Sequence, residues 1–318
     1  MLTHATRPDP DLLRHACTGC GGCCQGVRVP VYNDSEAEKV RVAGRALGIE
    51  DPVDGGGLRM VDGHCAFLAD DNGCRIHATL GPDAKPIPCR QFPLIAVSDG
   101  ADVRVGIDPA SYGAWRSYVD GDAAPDGPVV AAKLPAPDGQ EGLERALVTL
   151  CEAPNTTSAS LLSTLTRDVS VGGLVPAGFA ERWAEHLGQL DVDAFLSRRG
   201  PGRRLIAALK PLAHSSQRWQ ESPPPASPIP DDLDRWVVEA TRRVLWLRLL
   251  PEIPNVSVAA MLCLGGGLAA SWTHDSTEDA HDLFTAWLRA LRFEVFWKTL
   301  ARDQSTVLWL ATGQRSLP

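Results

Sequence analysis

The chain has 318 residues, of which 44% are hydrophobic and 22% charged, and its net charge is −8 at pH 7. That balance excludes global disorder and suits a soluble protein of about two domains. The acidic surplus argues against a nucleic-acid partner, because phosphate binding needs a basic field. Cysteine is the informative residue: Cys17, Cys20, Cys23, Cys24, Cys65, Cys74 and Cys89 crowd the front of the chain, while Cys151 and Cys263 stand alone.

The opening stretch MLTHATRPDPD has no apolar run of the secretory kind, so a cytoplasmic location is expected. Clustered thiols in a reducing compartment read as metal binding or redox chemistry, not as a disulfide framework. The run Cys17-Thr-Gly-Cys20-Gly-Gly-Cys23-Cys24 comes first. Next, Ser35 and Glu38 have capping-box spacing ahead of Val40, Ala43 and Leu47, and Gly48 closes the predicted helix. Short strands are expected at Val27–Tyr32, Leu58–Val61 and Leu94–Ser98. The last should turn through Asp99-Gly100 and return as Val103–Ile107. A second hairpin is expected to pair Cys65-Ala-Phe-Leu with Cys74-Arg-Ile-His through Asp70–Gly73, bringing Cys65 and Cys74 close together. In Lys85-Pro-Ile-Pro-Cys-Arg-Gln-Phe-Pro93 the prolines should hold Cys89 on a stiff extended arm, with Arg90 beside it to offset thiolate or cofactor charge.

A Pro/Gly/Asp-rich connector follows, from Asp120 to Gly139. The expected division is therefore a cysteine-bearing metal domain over 1–119, a linker over 120–139 and a helical domain over 140–318. The class is α+β. Helices are expected at Gln140–Glu152, Ser158–Arg167, Phe179–Leu190, Arg203–His214, Asp231–Leu250, Val256–Ser271 and Thr277–Arg302. The Pro/Ser-rich stretch Ser215–Pro230 reads as an exposed loop. Val256–Trp272 is apolar but slightly short for a bilayer and holds Gly265, Gly266 and Gly267, so it reads as a buried core helix and no membrane partner is expected. Most tryptophans read as core packing.

Two-residue spacers let successive thiolates curl around one centre, and the glycines between them permit the turns. C-x2-C-x2-C is close to the ferredoxin run that binds iron–sulfur clusters, and C-x2-C pairs also serve zinc. Seven thiolates exceed one tetrahedral site. The alternatives are four ligands with spare thiols, or a four-plus-three split in which one site keeps an open position. His77, His64 and His15 are lesser candidates.

The pattern C-x2-C-x2-C-C, C-x-F-L, C-x-I and K-P-x-x-C-R-x-F-P resembles the YkgJ-type cysteine-cluster family, with its CxxCxxCC zinc- or iron-chelating domain. More loosely it resembles the N-terminal part of flagellin lysine-N-methylases. The likeness spans about residues 17–93 and includes Phe67, Leu68, Ile76, Pro86, Arg90, Phe92 and Pro93. His77 departs from it, standing where an aromatic residue is expected. The resemblance implies a bound metal, with an iron–sulfur cluster of the 4Fe–4S kind as the first reading and zinc as the alternative. It leaves the reaction open, including whether the chain is an enzyme. A redox or group-transfer role, a zinc-stabilised module for a protein partner, and S-adenosylmethionine-dependent methylation of lysine in a protein substrate are the functions it admits. No glycine-rich strand-to-helix motif for the methyl donor is present.

Overall fold

In a computed structural model, the structure describes residues 13, 21–25, 29–98, 103–118, 121, 131–133, 139–166, 168, 174–189, 191–197, 203–219, 222, 224, 228–253, 255–274, 276–301 and 304–314. The chain divides into two compact units, residues 1–132 with 198–207, and residues 133–197 with 208–318. Short strand pairs in the first and helices in the second make the fold α+β.

In the first unit, the cap of α1 (Asp34–Ala46) corrects the expected capping box. Extended Asn33, not Ser35, caps it, its Oδ1 accepting the Glu36 N–H at 2.9 Å. Glu38 turns out to Arg45 at 2.8 Å and Arg41 at 3.6 Å. Gly48 closes the helix as expected, with a φ of +68°. The Ile49 and Gly48 amides reach back to the Gly44 and Arg45 carbonyls, which is the Schellman arrangement.

Two small antiparallel pairs follow, β1 (Val53–Asp54) with β2 (Gly57–Leu58) and β3 (Met60–Val61) with β4 (His64–Cys65). The single strand expected at Leu58–Val61 is thus split between two pairs. Pro30 bridges to Gly57 within the expected Val27–Tyr32 strand, part of which lies outside the described residues.

The expected return strand at Cys74–His77 is a helix instead. Leu68 and Cys74 form one bridge, after which Cys74 caps α2 (Arg75–Leu80). Ile76 is driven into the core at 1% exposure, and Arg75 donates to the Leu47 carbonyl at the end of α1 at 2.6 Å, where cations are favoured. The extended arm at Cys89 is overturned as well: Pro86 caps α3 (Ile87–Gln91), with Pro88 in its first turn. Proline suits that position because the first amides of a helix lack helical partners anyway. The expected strands β5 (Leu94–Ser98) and β6 (Val103–Ile107) pair antiparallel, Leu94 opposite Ile107, and the turn between them lies outside the described residues. Then come α4 (Ala114–Ser117) and β7 (Ala131–Lys133), the latter beside β5. Most of the expected linker lies outside the described residues.

The second unit holds α5 (Glu141–Glu152), α6 (Ser158–Leu165), α7 (Ala177–Gly188), α8 (Val192–Leu196), the main part of α9 (Arg203–Trp219), α10 (Asp231–Trp246), α11 (Val256–Thr273), α12 (Thr277–Ala290), α13 (Glu294–Leu300) and α14 (Gln304–Thr312). α9 overruns its expected end, so Ser215–Trp219 are helical and Ser215, Ser216 and Trp219 are buried where an exposed loop was expected.

α11 lies inside this unit, packed by α6, α7, α10 and α12. It is apolar enough to cross a membrane by length and composition, and 78% of it is buried. A helix apolar on every side is a core helix. Its consecutive glycines point about 100° apart. Each faces a different neighbour: a Cβ on Gly265 would lie 2.5 Å from Trp183, on Gly266 2.2 Å from Trp287, and on Gly267 2.4 Å from Val237. The rings seat on the helix backbone, Trp183 donating to the Gly265 carbonyl at 2.7 Å and Trp287 to the Leu262 carbonyl at 2.9 Å.

Candidate metal centre

The first unit has a small apolar cluster of Val40, Ala43, Leu58, Cys65, Phe67 and Ile76. Cys65 belongs to it at 5% exposure, and half-buried Cys24, Cys74 and Cys89 pack against it. Four cysteines from four separate stretches thus lie in or against one apolar cluster, and none of them is in a disulfide.

Each arrives by a different device. Cys24 ends a 3-10 turn over Gly22–Cys24, and the next residue, Gln25, bridges antiparallel to His64. That register sets Cys24 beside Cys65 of β4. Cys74 sits where the Leu68 bridge gives way to α2. Cys89 rides on α3, whose leading amide, the Ile87 N–H, donates to the buried Glu36 carboxylate at 2.7 Å.

The glycines of the cysteine run have identifiable work. Gly21 is left-handed at φ +65°, and a Cβ there would lie 2.8 Å from the Asn72 Cβ. A Cβ on Gly22 would lie 2.4 Å from the ring of Tyr112, a residue only 2% exposed. The turn is therefore pressed between the loop preceding Cys74 and an aromatic ring that follows β6. Sequence reasoning missed Asn72, Tyr112 and Glu36; the paired glycines were the signal that something approaches this turn closely.

Cys17 and Cys20 lie outside the described residues, as does the side chain of Cys23. Among the described residues, no three His, Cys, Asp or Glu side chains are grouped to hold a metal ion. The chemistry of the donor set still fits a thiophilic metal or cluster, since soft thiolate ligands select zinc, copper(I) and iron–sulfur centres. Arg90 and His77 are exposed, each in the last turn of its short helix, and His64 is half-buried. The phenol of Tyr32 is held above the usual tyrosine range, first by partial burial and then by the negative charges of Glu36 and Cys89.

The two solitary cysteines are different. Burial pushes the Cys151 thiol up to about 12, and the fully buried Cys263 thiol is pushed further in the same direction. Neither supplies thiolate near neutral pH.

Residues 16–108 match the family model described as "CxxCxxCC: Putative zinc- or iron-chelating domain". This part of the chain is accordingly a metal-binding, zinc- or iron-chelating cysteine-cluster domain. The match contains all seven clustered cysteines, excludes Cys151 and Cys263, and ends one residue past β6. No curated protein and no solved structure matches the chain.

Proposed function

We propose that the cysteine-cluster domain carries an iron–sulfur cluster in a reducing cytoplasm, bound through thiolates drawn from Cys17, Cys20, Cys23, Cys24, Cys65, Cys74 and Cys89, and that it serves a redox or group-transfer role. The observation that carries this reading is the convergence of Cys24, Cys65, Cys74 and Cys89 on one apolar cluster without a disulfide. An all-sulfur donor set with ferredoxin-like spacing favours a cluster, which when bound supplies one-electron transfer. The protein's own part is to gather the ligands and keep water away from them. Phe67, Ile76 and Leu58 supply the dry side, each nearly fully buried. Glycine spacing lets Tyr112 close over the turn that bears Cys23 and Cys24.

The test is oxygen-free purification of the full chain, with iron, zinc and acid-labile sulfide measured per chain. Stoichiometric iron and sulfide, with visible absorption bleached by dithionite, is the expected result. A colourless protein with stoichiometric zinc overturns the cluster in favour of a zinc-stabilised module. A folded protein that takes up neither metal overturns the metal reading itself.

A further inference from the structure

We propose that Glu36 is the positioning residue of the cysteine site: its carboxylate fixes the head of α3 and thereby sets where the Cys89 thiol points. The inference rests on the metal-binding reading and adds a residue from outside the cysteine pattern.

A carboxylate at 3% exposure requires a donor, and the donor here is the Ile87 N–H at 2.7 Å, from a residue far along the chain. The sequence around Cys89 explains why this amide matters. Pro86 and Pro88 have no N–H. The Cys89 and Arg90 amides both turn back to the Pro86 carbonyl, at 3.0 and 3.1 Å. Ile87 therefore holds the outward-facing amide at the head of this short helix, and Glu36 takes it.

Glu36 is itself fixed. Its own N–H is held by the Asn33 cap, and Val40 and Ala43, further along α1, are members of the apolar cluster that contains Cys65. α1 is thus clamped to the Cys65 cluster through its apolar face and to the Cys89 helix through one carboxylate. Removing that carboxylate takes away the hydrogen bond that anchors the head of α3 to α1.

The experiment uses the full-length chain with Glu36→Ala, Glu36→Asp, Glu36→Gln and Cys89→Ser. In metal-free, reduced protein, alkylation of Cys89 and of Cys74 by iodoacetamide is followed by peptide mass spectrometry. Glu36→Ala is expected to speed Cys89 by about tenfold, the factor at the lower end of what a hydrogen bond to a charged group contributes, while Cys74 holds its rate. Glu36→Asp keeps the charge but falls short by one methylene, so it should speed Cys89 too. Glu36→Gln keeps an oxygen at the same reach and should stay close to the parent.

Metal per chain after anaerobic loading with iron and sulfide gives a second readout. Glu36→Ala should lose as much as Cys89→Ser, and the double variant no more than either, because residues acting as one unit are non-additive. Equal acceleration of Cys74 and Cys89, or losses that multiply in the double variant, would overturn the proposal. If Glu36→Ala does not fold, the contrast between Asp and Gln decides. A parent that binds no metal sinks the metal reading alone, and the ratio of the two alkylation rates still decides the role of Glu36.

Discussion

Replacing Gly266 by alanine should destabilise the helical unit, against the intrinsic preference of a helix. In an ordinary helix interior alanine is favoured over glycine by about 0.8–1 kcal/mol. At Gly266 the added Cβ would lie 2.2 Å from both Cδ1 and Nε1 of Trp287. That ring cannot simply retreat. It is 1% exposed, donates to the Leu262 carbonyl at 2.9 Å, and meets Trp183 and Phe296 edge-on at centroid distances of 5.9 and 5.2 Å. Overpacking in such a core costs about 1–3 kcal/mol, and a strained indole hydrogen bond adds about 1 kcal/mol. After subtracting the propensity gain, the net loss is about 1–3 kcal/mol. At about 2–4 °C per kcal/mol for a unit of this size, Tm should fall by about 2–12 °C. The control is Gly142→Ala in the first turn of α5, where an added Cβ meets nothing within 4 Å. That change should leave Tm unchanged or slightly higher. Thermal and urea unfolding followed by far-ultraviolet circular dichroism measures both. A Gly266→Ala protein as stable as the Gly142→Ala protein would refute the claim that the three glycines are seats for neighbouring side chains.

Other substitutions separate the site from the scaffold. Cys65→Ser should cut bound metal sharply, whereas Cys151→Ser should leave metal per chain unchanged, because burial keeps that thiol protonated; elemental analysis of both variants checks this. His186, whose Nε2 lies 2.7 Å from the Leu300 carbonyl, is held below the ordinary histidine range mainly by burial. Its neutral form is the one that folds, so the stability it contributes is present above about pH 6.5 and is lost as pH falls toward its lowered folded value. Across that window the unfolded chain binds more protons than the folded one, so stability falls with pH, by at most about 1.4 kcal/mol per pH unit for one group. His186→Gln, which keeps an N–H at similar reach, should flatten this slope in urea unfolding measured from pH 7 to 5. Chelation should lower the unfolding temperature of the cysteine-cluster unit. The loss is about 4 kcal/mol if free metal stood 1,000-fold above its Kd, and calorimetry with and without chelator measures it.

Local signals were legible where local chemistry decides the structure. Two apolar runs flanking Asp99-Gly100 were enough to place the strands β5 and β6, and Gly48 marked the end of α1. Errors came where a long-range contact outweighed a local pattern. Cys74-Arg-Ile-His reads as a strand by alternation. It folds as a helix because Ile76 joins the core and Arg75 reaches the end of α1, although Leu80-Gly81-Pro82 was a readable stop signal. The single helix expected over Thr277–Arg302 breaks because Phe293 leaves helical geometry to meet Phe195 edge-on at 5.6 Å. Three prolines suggested extension at Cys89, whereas two of them start a helix whose head is held by Glu36. Nothing in the sequence links Glu36 to Ile87, or Tyr112 to Gly22, because each pairing is made only when distant elements pack.

Cys65 is both a core residue and a cysteine of the metal-chelating pattern, and that double role shapes the energetics of the domain. With so few buried apolar side chains in its cluster, the unit depends on every one of them. A protonated thiol packs as a small hydrophobe, but a metal ligand must be a thiolate. Without metal, burial favours the protonated form; with metal, the proton must leave and the charge is neutralised by the ion. Metal uptake by this domain therefore releases protons and strengthens as pH rises, and the same event that fills the site completes its core. This coupling also gives a reason for drawing thiols from four stretches instead of one loop. Cys24, Cys65, Cys74 and Cys89 are each tied to a different element, so an ion bound by them, as proposed, would cross-link those elements, whereas ligands from a single loop would fix that loop alone.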